Sequence, residues 1–170
     1  MDGVETVLVT GGAGYVGGHV CAALLAAGHR VVVLDNLCNS RREALDRIAT
    51  LGIGEAAFVE GDVRDSAALD VALTIGPVDA VIHAAGLKSV EESVADPLTY
   101  YDVNVGGATA LLKAMSRRGV HRIVFSSSAT VYGAPQHHPV SESAPTRPIN
   151  PYGATKLVVE RMLEAVATAT

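Results

Sequence analysis

Tyr152 and Lys156 stand four residues apart in Tyr152-Gly153-Ala154-Thr155-Lys156. On a helix that spacing puts a phenol and an ammonium on one face. A free phenol titrates near ~10, too high for a base at neutral pH, and a neighbouring cation favours its ionised form. Bringing such a group to about 7 takes roughly 4 kcal/mol of differential interaction. The pair therefore predicts removal of a proton from a substrate hydroxyl. A second source of hydroxyls lies upstream, in Ser126-Ser127-Ser128-Ala129-Thr130. Placed at the carboxyl end of a strand, these could hydrogen-bond a substrate alcohol. A YxxxK spacing alone is common by chance, so its weight depends on what precedes it.

What precedes it is a phosphate loop. Thr10-Gly11-Gly12-Ala13-Gly14-Tyr15-Val16-Gly17 follows an apolar run and opens a helical stretch. Gly11, Gly14 and Gly17 have GxxGxxG spacing, a variant of the dinucleotide fingerprint. One glycine permits the tight turn, the next lets the backbone approach pyrophosphate, and the third allows close helix–strand packing. The helix start then offers free N–H groups and a partial positive charge to the anion. Asp35 ends the next apolar run, 18 residues beyond Gly17. A carboxylate there accepts hydrogen bonds from ribose hydroxyls and repels a 2′-phosphate, which favours NAD over NADP. Arg41 and Arg42 are the counter-argument, but they read as solvated helix-start residues. Asp62 follows a third apolar run; it could meet the adenine, or serve as a turn or cap aspartate. With NAD present, Lys156 and a positively charged nicotinamide ring could share the work of ionising the phenol.

Short β-branched runs at 6–10, 31–35, 56–60, 80–84 and 122–126 alternate with helical patterns near 14–27, 41–51, 66–73, 94–118 and 151–167. Pro151 suits a helix start, where its missing N–H is harmless. The strands are almost continuously apolar, as expected when both faces are covered. The alternation predicts an α/β fold with a Rossmann-type, doubly wound parallel sheet. Residues 133–150, rich in Pro, Ser and His, read as one long surface loop. A full dinucleotide fold has about six strands. Here five are counted, so 1–170 is expected to be an incomplete NAD-binding domain, without a sixth strand and a C-terminal substrate-binding lobe.

Composition narrows the function class. Thirteen basic and 18 acidic residues among 170 give a formal charge of −5, which argues against binding a nucleic-acid backbone. No apolar run is long enough for a membrane span, and the first five residues lack the basic flank of a secretory leader. Cys21 and Cys38 form no metal-binding or CxxC pattern and read as reduced thiols of a cytoplasmic protein. His83, at the end of an apolar strand, reads as a buried, hydrogen-bonded histidine. His137 and His138 lie in the long loop with no further ligands at metal spacing.

Taken together, Gly11–Gly17, Asp35, Tyr152 and Lys156 resemble the extended short-chain dehydrogenase/reductase family. Residues 34–40 (LDNLCNS), 85–90 (AGLKSV), 100–102 (YYD) and 126–133 (SSSATVYG) closely resemble its UDP-glucose 4-epimerase branch, and the likeness covers nearly the whole chain. The resemblance implies that Tyr152 takes the proton of the sugar 4-hydroxyl and that Ser128 hydrogen-bonds the same hydroxyl. It implies that Lys156 binds the nicotinamide ribose and favours the ionised phenol. Asp35, Asn36, Asn39 and Ser40 would hold the adenosine end, and Asp62 with Val63 the adenine. Ala84, Ala85, Gly86 and Lys88 would line the cofactor, Lys88 also touching substrate, and Asn104 would steady the active site.

Departures from the pattern are Val103, where an NAD-contacting Asn is usual, and the less consequential Ala84 and Ala154. The implied reaction interconverts UDP-glucose and UDP-galactose by transient oxidation at C4. Hydride passes to tightly bound NAD and returns to either face of the sugar. The family also implies a homodimer through the helices near 94–118 and 151–167. Ala129-Thr130 stand where a 4,6-dehydratase carries an acidic pair, which weighs against dehydration. An epimerase of N-acetylated or uronic sugars, and a non-catalytic NAD-binding fragment, remain the alternatives.

Overall fold

Strand β1 (Thr6–Thr10) is buried at every position, and β2 (Arg30–Asp35) at every position but its first. That is how a parallel strand behaves when helices cover both faces. The computed structural model describes residues 3–51, 53–135 and 137–169. Met1 and Asp2, the beginning of the segment read above for a leader, lie outside the described residues. Helices α1 (Tyr15–Ala26), α2 (Glu43–Thr50) and α3 (Ser66–Ala72) alternate with β1, β2, β3 (Ala57–Glu60) and β4 (Ala80–His83). Then come α4 (Val90–Ala95), α5 (Pro97–Tyr100), a π-helical turn (Tyr101–Gly106), α6 (Gly107–Arg118) and β5 (Ile123–Phe125). A 3-10 turn (Ala129–Tyr132) and the long helix α7 (Pro151–Ala169) follow.

The described residues form two units. The first, residues up to Ala85 plus Gly107–Ser126, holds a five-stranded parallel sheet in the order β3-β2-β1-β4-β5. Alternate residues of each strand face opposite ways, and two cores result. Leu8, Val32, Leu34 and Val81 pack with Leu69 and Leu73 at α3 and Leu111 and Met115 of α6. Val7, Val9, Val31 and Val33 pack with Cys21 and Leu25 of α1 and Leu45 and Ile48 of α2. The chain winds outward from β1 to β3, returns to β4 beside β1, and winds the other way. In sheets of this kind such a switch of direction, here between β1 and β4, marks the usual ligand position beyond the carboxyl strand ends. The edge strands β3 and β5 are only partly buried, so continuous apolarity there overstates their coverage.

The second unit comprises residues 86–106 and 127 onward. In it α7 packs on α4, α5, the π turn and the 3-10 turn. The single helix expected over 94–118 is instead four helical pieces. Pro97 lacks an N–H and cannot continue α4; Asp96 caps the next segment by accepting the Thr99 N–H at 3.3 Å. The π turn then places Asn104 among the buried residues. Residues 133–150 form no strand or helix among those described, as expected of the loop. It ends at Asn150, whose Oδ1 accepts the Gly153 N–H at 2.8 Å and caps α7, with Pro151 in the first helical position.

Candidate functional site

In the first unit the glycines make the tight turn and the close helix packing that their spacing suggests. Gly11 has φ +72°, and a β-carbon there would lie 2.6 Å from the Ala85 nitrogen. The turn after β1 is thus pressed onto Ala84 and Ala85 after β4. A β-carbon at Gly17 would lie 2.2 Å from the Gly11 oxygen, so the first turn of α1 rests directly on the loop. At Gly14 the nearest atom would be that same oxygen at 3.2 Å, and no side chain caps the helix. The backbone N–H groups of Tyr15, Val16 and Gly17 have no acceptor among the described residues. Tyr15 and Val16 are exposed, at 79% and 56%. Unpaired N–H groups at the positive end of a helix form a site for an anion such as a pyrophosphate.

Asp35 is buried, and its carboxylate is heavily engaged. Oδ2 accepts the Ala13 N–H at 3.0 Å, and Oδ1 accepts the Leu37 N–H at 2.9 Å and the Ser40 hydroxyl at 2.7 Å. It therefore joins the glycine loop to the loop after β2, where Leu37 has φ +57°. Asn36 accepts the Cys38 N–H through its side-chain oxygen and donates to Asp62 at 2.9 Å. Asn39 is exposed in the same loop. Arg42 lies over the Phe58 ring, 5.2 Å from its centroid.

Asp62 receives a two-pronged bond from Arg64, Nε to Oδ1 and Nη2 to Oδ2, both at 2.8 Å. It also accepts the Arg64 N–H. These bonds, chiefly the Arg64 side chain, hold its carboxyl well below the ordinary range. Arg64 is a partner of Asp62 that the residue pattern signals only by its position two residues further on. Val63 is buried against Gly107, and its own N–H has no acceptor among the described residues.

The second unit holds the residues expected above to handle the proton. Asn104, 4% exposed, accepts the Leu87 N–H at 2.8 Å. Its amide donates to the Leu87 carbonyl at 3.1 Å and to Thr155 Oγ1 at 3.0 Å. Thr155 in turn donates to the Tyr152 carbonyl at 2.7 Å. One amide thus fastens the 86–88 segment to the first turns of α7. Gly86, at φ +153°, leaves room that a β-carbon would fill, 2.8 Å from Asn104 Oδ1 and 3.7 Å from Lys156 Nζ. Thr155, the common partner, was also missed, since nothing in its spacing from Asn104 announces contact.

Lys156 is 5% exposed, and burial lowers its pKa to about 8. Its ammonium lies 5.9 Å from the centroid of the half-buried Tyr152 ring. Ser128 begins the 3-10 turn, its oxygen accepting the Thr130 N–H at 3.2 Å and the Thr130 hydroxyl at 2.9 Å. Its own hydroxyl proton has no acceptor among the described residues. Lys88 is exposed, and Val103 is half-buried. In the first unit, His83 bonds Thr10 Oγ1 at 2.7 Å and stacks on Phe125, as expected of a buried histidine.

A family model described as "Epimerase: NAD dependent epimerase/dehydratase family" matches residues 7–170. The chain is 50% identical over 163 residues to a UDP-glucose 4-epimerase of Bacillus subtilis, covering 96% of this chain and 48% of the relative. A UDP-glucose-4-epimerase of Stenotrophomonas maltophila, solved with NAD and formylated UDP-arabinopyranose, superposes with TM-score 0.94 at 48% identity. The match covers 98% of this chain and 50% of that one. A UDP-glucose 4-epimerase of Bifidobacterium longum, solved with NAD+ and UDP, gives TM-score 0.94 at 45% identity over 97% of this chain and 50% of that one. The chain spans about half the length of the curated relatives it matches.

Proposed function

We propose, on the premise that this chain belongs to the NAD dependent epimerase/dehydratase family, that residues 1–170 form the NAD-binding and proton-transfer part of a UDP-sugar 4-epimerase. The reaction is the interconversion of UDP-glucose and UDP-galactose. The residues fit the cofactor. Tyr15, Val16 and Gly17 present unpaired N–H groups for a pyrophosphate, Gly14 leaves the approach open, and Asp35 favours a ribose with free hydroxyls. Asn36, Asn39, Ser40, Asp62 and Val63 serve the adenosine end; Ala84, Ala85, Gly86 and Lys88 serve the nicotinamide end. When bound, NAD supplies hydride acceptance and return at C4 of the sugar.

The chain's own residues handle the proton. Tyr152 removes it from the 4-hydroxyl and returns it. Lys156, a buried cation on the same helix face, favours the ionised phenol and holds the nicotinamide ribose. Ser128 has its oxygen occupied by Thr130, which leaves its O–H to donate to the sugar oxygen. Asn104 keeps the 86–88 segment in register with α7. The observation that carries the proposal is this arrangement on α7: phenol and buried ammonium one turn apart, with Thr155 between them bonded to Asn104.

The same proposal includes a homodimer in the cytoplasm. Val94 and Leu98, 64% and 80% exposed, offer apolar surface for pairing, and Cys21 and Cys38 are free thiols. No helix among the described residues is long and apolar enough to cross a membrane.

The test is coupled turnover of UDP-galactose and UDP-N-acetylgalactosamine by the full-length protein, with any bound nucleotide identified after denaturation. Tyr152→Phe should nearly abolish turnover while the fold persists. Near-normal turnover in that variant refutes the assignment.

A further inference from the structure

Glu160 lies on α7, four residues beyond Lys156 and eight beyond Tyr152. Steps of four keep all three along one face of the helix. The Ser127 hydroxyl donates to Glu160 Oε1, and both residues are half-buried. Ser127 directly precedes Ser128, whose oxygen organises the 3-10 turn by accepting from Thr130. The Val131 N–H closes that turn on the Ser128 carbonyl at 3.1 Å. A bond to a carboxylate is stronger and more directional than one between neutral groups. Here it joins the start of the serine turn to the helix that carries the phenol.

We infer that Glu160 is a positioning residue: through Ser127 it sets where the Ser128 hydroxyl stands relative to the Tyr152 phenol. The inference rests on the proton-transfer roles proposed above for those two residues. Three groups that must meet one sugar oxygen or its cofactor are thereby referred to a single 19-residue helix. Tyr152 and Lys156 project from it, and Ser128 is tied to it by Glu160. Rigid elements hold reacting groups to the tolerance that catalysis needs, and a displacement of about 1 Å can reduce rate about a hundredfold. Glu160 itself touches no reacting atom in this scheme and transfers no proton.

The experiment compares the full-length protein with Glu160→Ala, Glu160→Gln, Ser127→Ala and the double variant Ser127→Ala/Glu160→Ala. Removing either end of the bond should lower kcat about tenfold while KM moves less than about twofold, because the lost alignment matters most in the transition state. The double variant should fall no further than the single ones, since one bond is lost in each case. Glu160→Gln should retain most of the turnover, because its amide oxygen still accepts from Ser127. Without substrate, amide exchange at Thr130 and Val131 should quicken about tenfold in the two alanine variants and stay near the original rate in Glu160→Gln.

Additive losses, a Glu160→Gln variant as impaired as Glu160→Ala, or unchanged exchange at Thr130 and Val131 would each overturn the inference. Should Glu160→Ala fail to fold, Ser127→Ala removes a single oxygen and carries the same comparison. The exchange measurement needs no turnover, so it judges the tether independently of Tyr152→Phe, which judges the parent proposal.

Discussion

Replacing Asn104 by Ala removes three hydrogen bonds from one buried amide. An unpartnered buried polar group costs about 1–3 kcal/mol, but the three losses are unequal. Leu87 is half-buried, so its N–H and carbonyl regain some water. Thr155 is fully buried but keeps its own bond to the Tyr152 carbonyl. Counting Leu87 as roughly one full penalty, Thr155 as part of one, and adding the cavity, the expected loss is about 3 kcal/mol. Asn104→Asp should do no better. Its carboxylate can accept from Leu87 but cannot donate to the Leu87 carbonyl or to Thr155, and it buries a charge. The sequence contains no Trp, so urea unfolding is best followed by far-ultraviolet circular dichroism. A cycle with Thr155→Val should show coupling of about 1 kcal/mol. A loss below about 1 kcal/mol in Asn104→Ala, or no coupling, would refute the idea that this amide fastens the site.

Three further outcomes are expected. Gly17→Ala gains helix propensity of about 1 kcal/mol but drives a methyl to 2.2 Å from the Gly11 oxygen. The loop must shift, and NAD affinity measured by calorimetry should fall at least about tenfold; unchanged affinity would show that the loop is not the phosphate cradle. Burial lowers the Lys156 pKa from 10.5 to about 8, so between those values the unfolded chain holds more protons than the folded one. Stability relative to Lys156→Met should therefore rise with pH across that window, by roughly 3 kcal/mol in all; a pH-independent difference in unfolding free energy would contradict it. Cys38 is exposed, whereas Cys21 is fully buried and its thiol is pushed up to about 12. A thiol reagent followed by mass spectrometry should label Cys38 in the native protein and Cys21 only after unfolding.

The sheet was readable because its central strands are buried on both faces, which forces continuous apolar runs, and because glycine spacing reports backbone contact directly. Gly17 packs on Gly11 and Gly12, so its role needs no knowledge of distant partners. A single helix is expected over 94–118 because periodicity persists across Pro97, while the π turn that turns Asn104 inward leaves no compositional mark. Long-range polar partners were the least legible. Asp35 was recognised as an acceptor, but not as one already holding Ala13, Leu37 and Ser40. Asp62 was seen without Arg64, and Tyr152 and Lys156 without Glu160, although a step of four along the helix reaches it. Such pairings depend on how loops fold back in space, and local patterns do not carry that information.

The engagement of Asp35 bears on attempts to redesign coenzyme choice. The obvious exchange, a neutral or basic residue at position 35 to admit a 2′-phosphate, would also unlatch the Ala13 amide, the left-handed Leu37 and the Ser40 hydroxyl in one stroke. In the proposed binding mode, selectivity and architecture share that carboxylate. Retargeting would have to leave it in place and begin at the rim, around Arg41 and Arg42, whose exposed side chains hold no backbone N–H, and not at Asn36, whose oxygen accepts the Cys38 N–H.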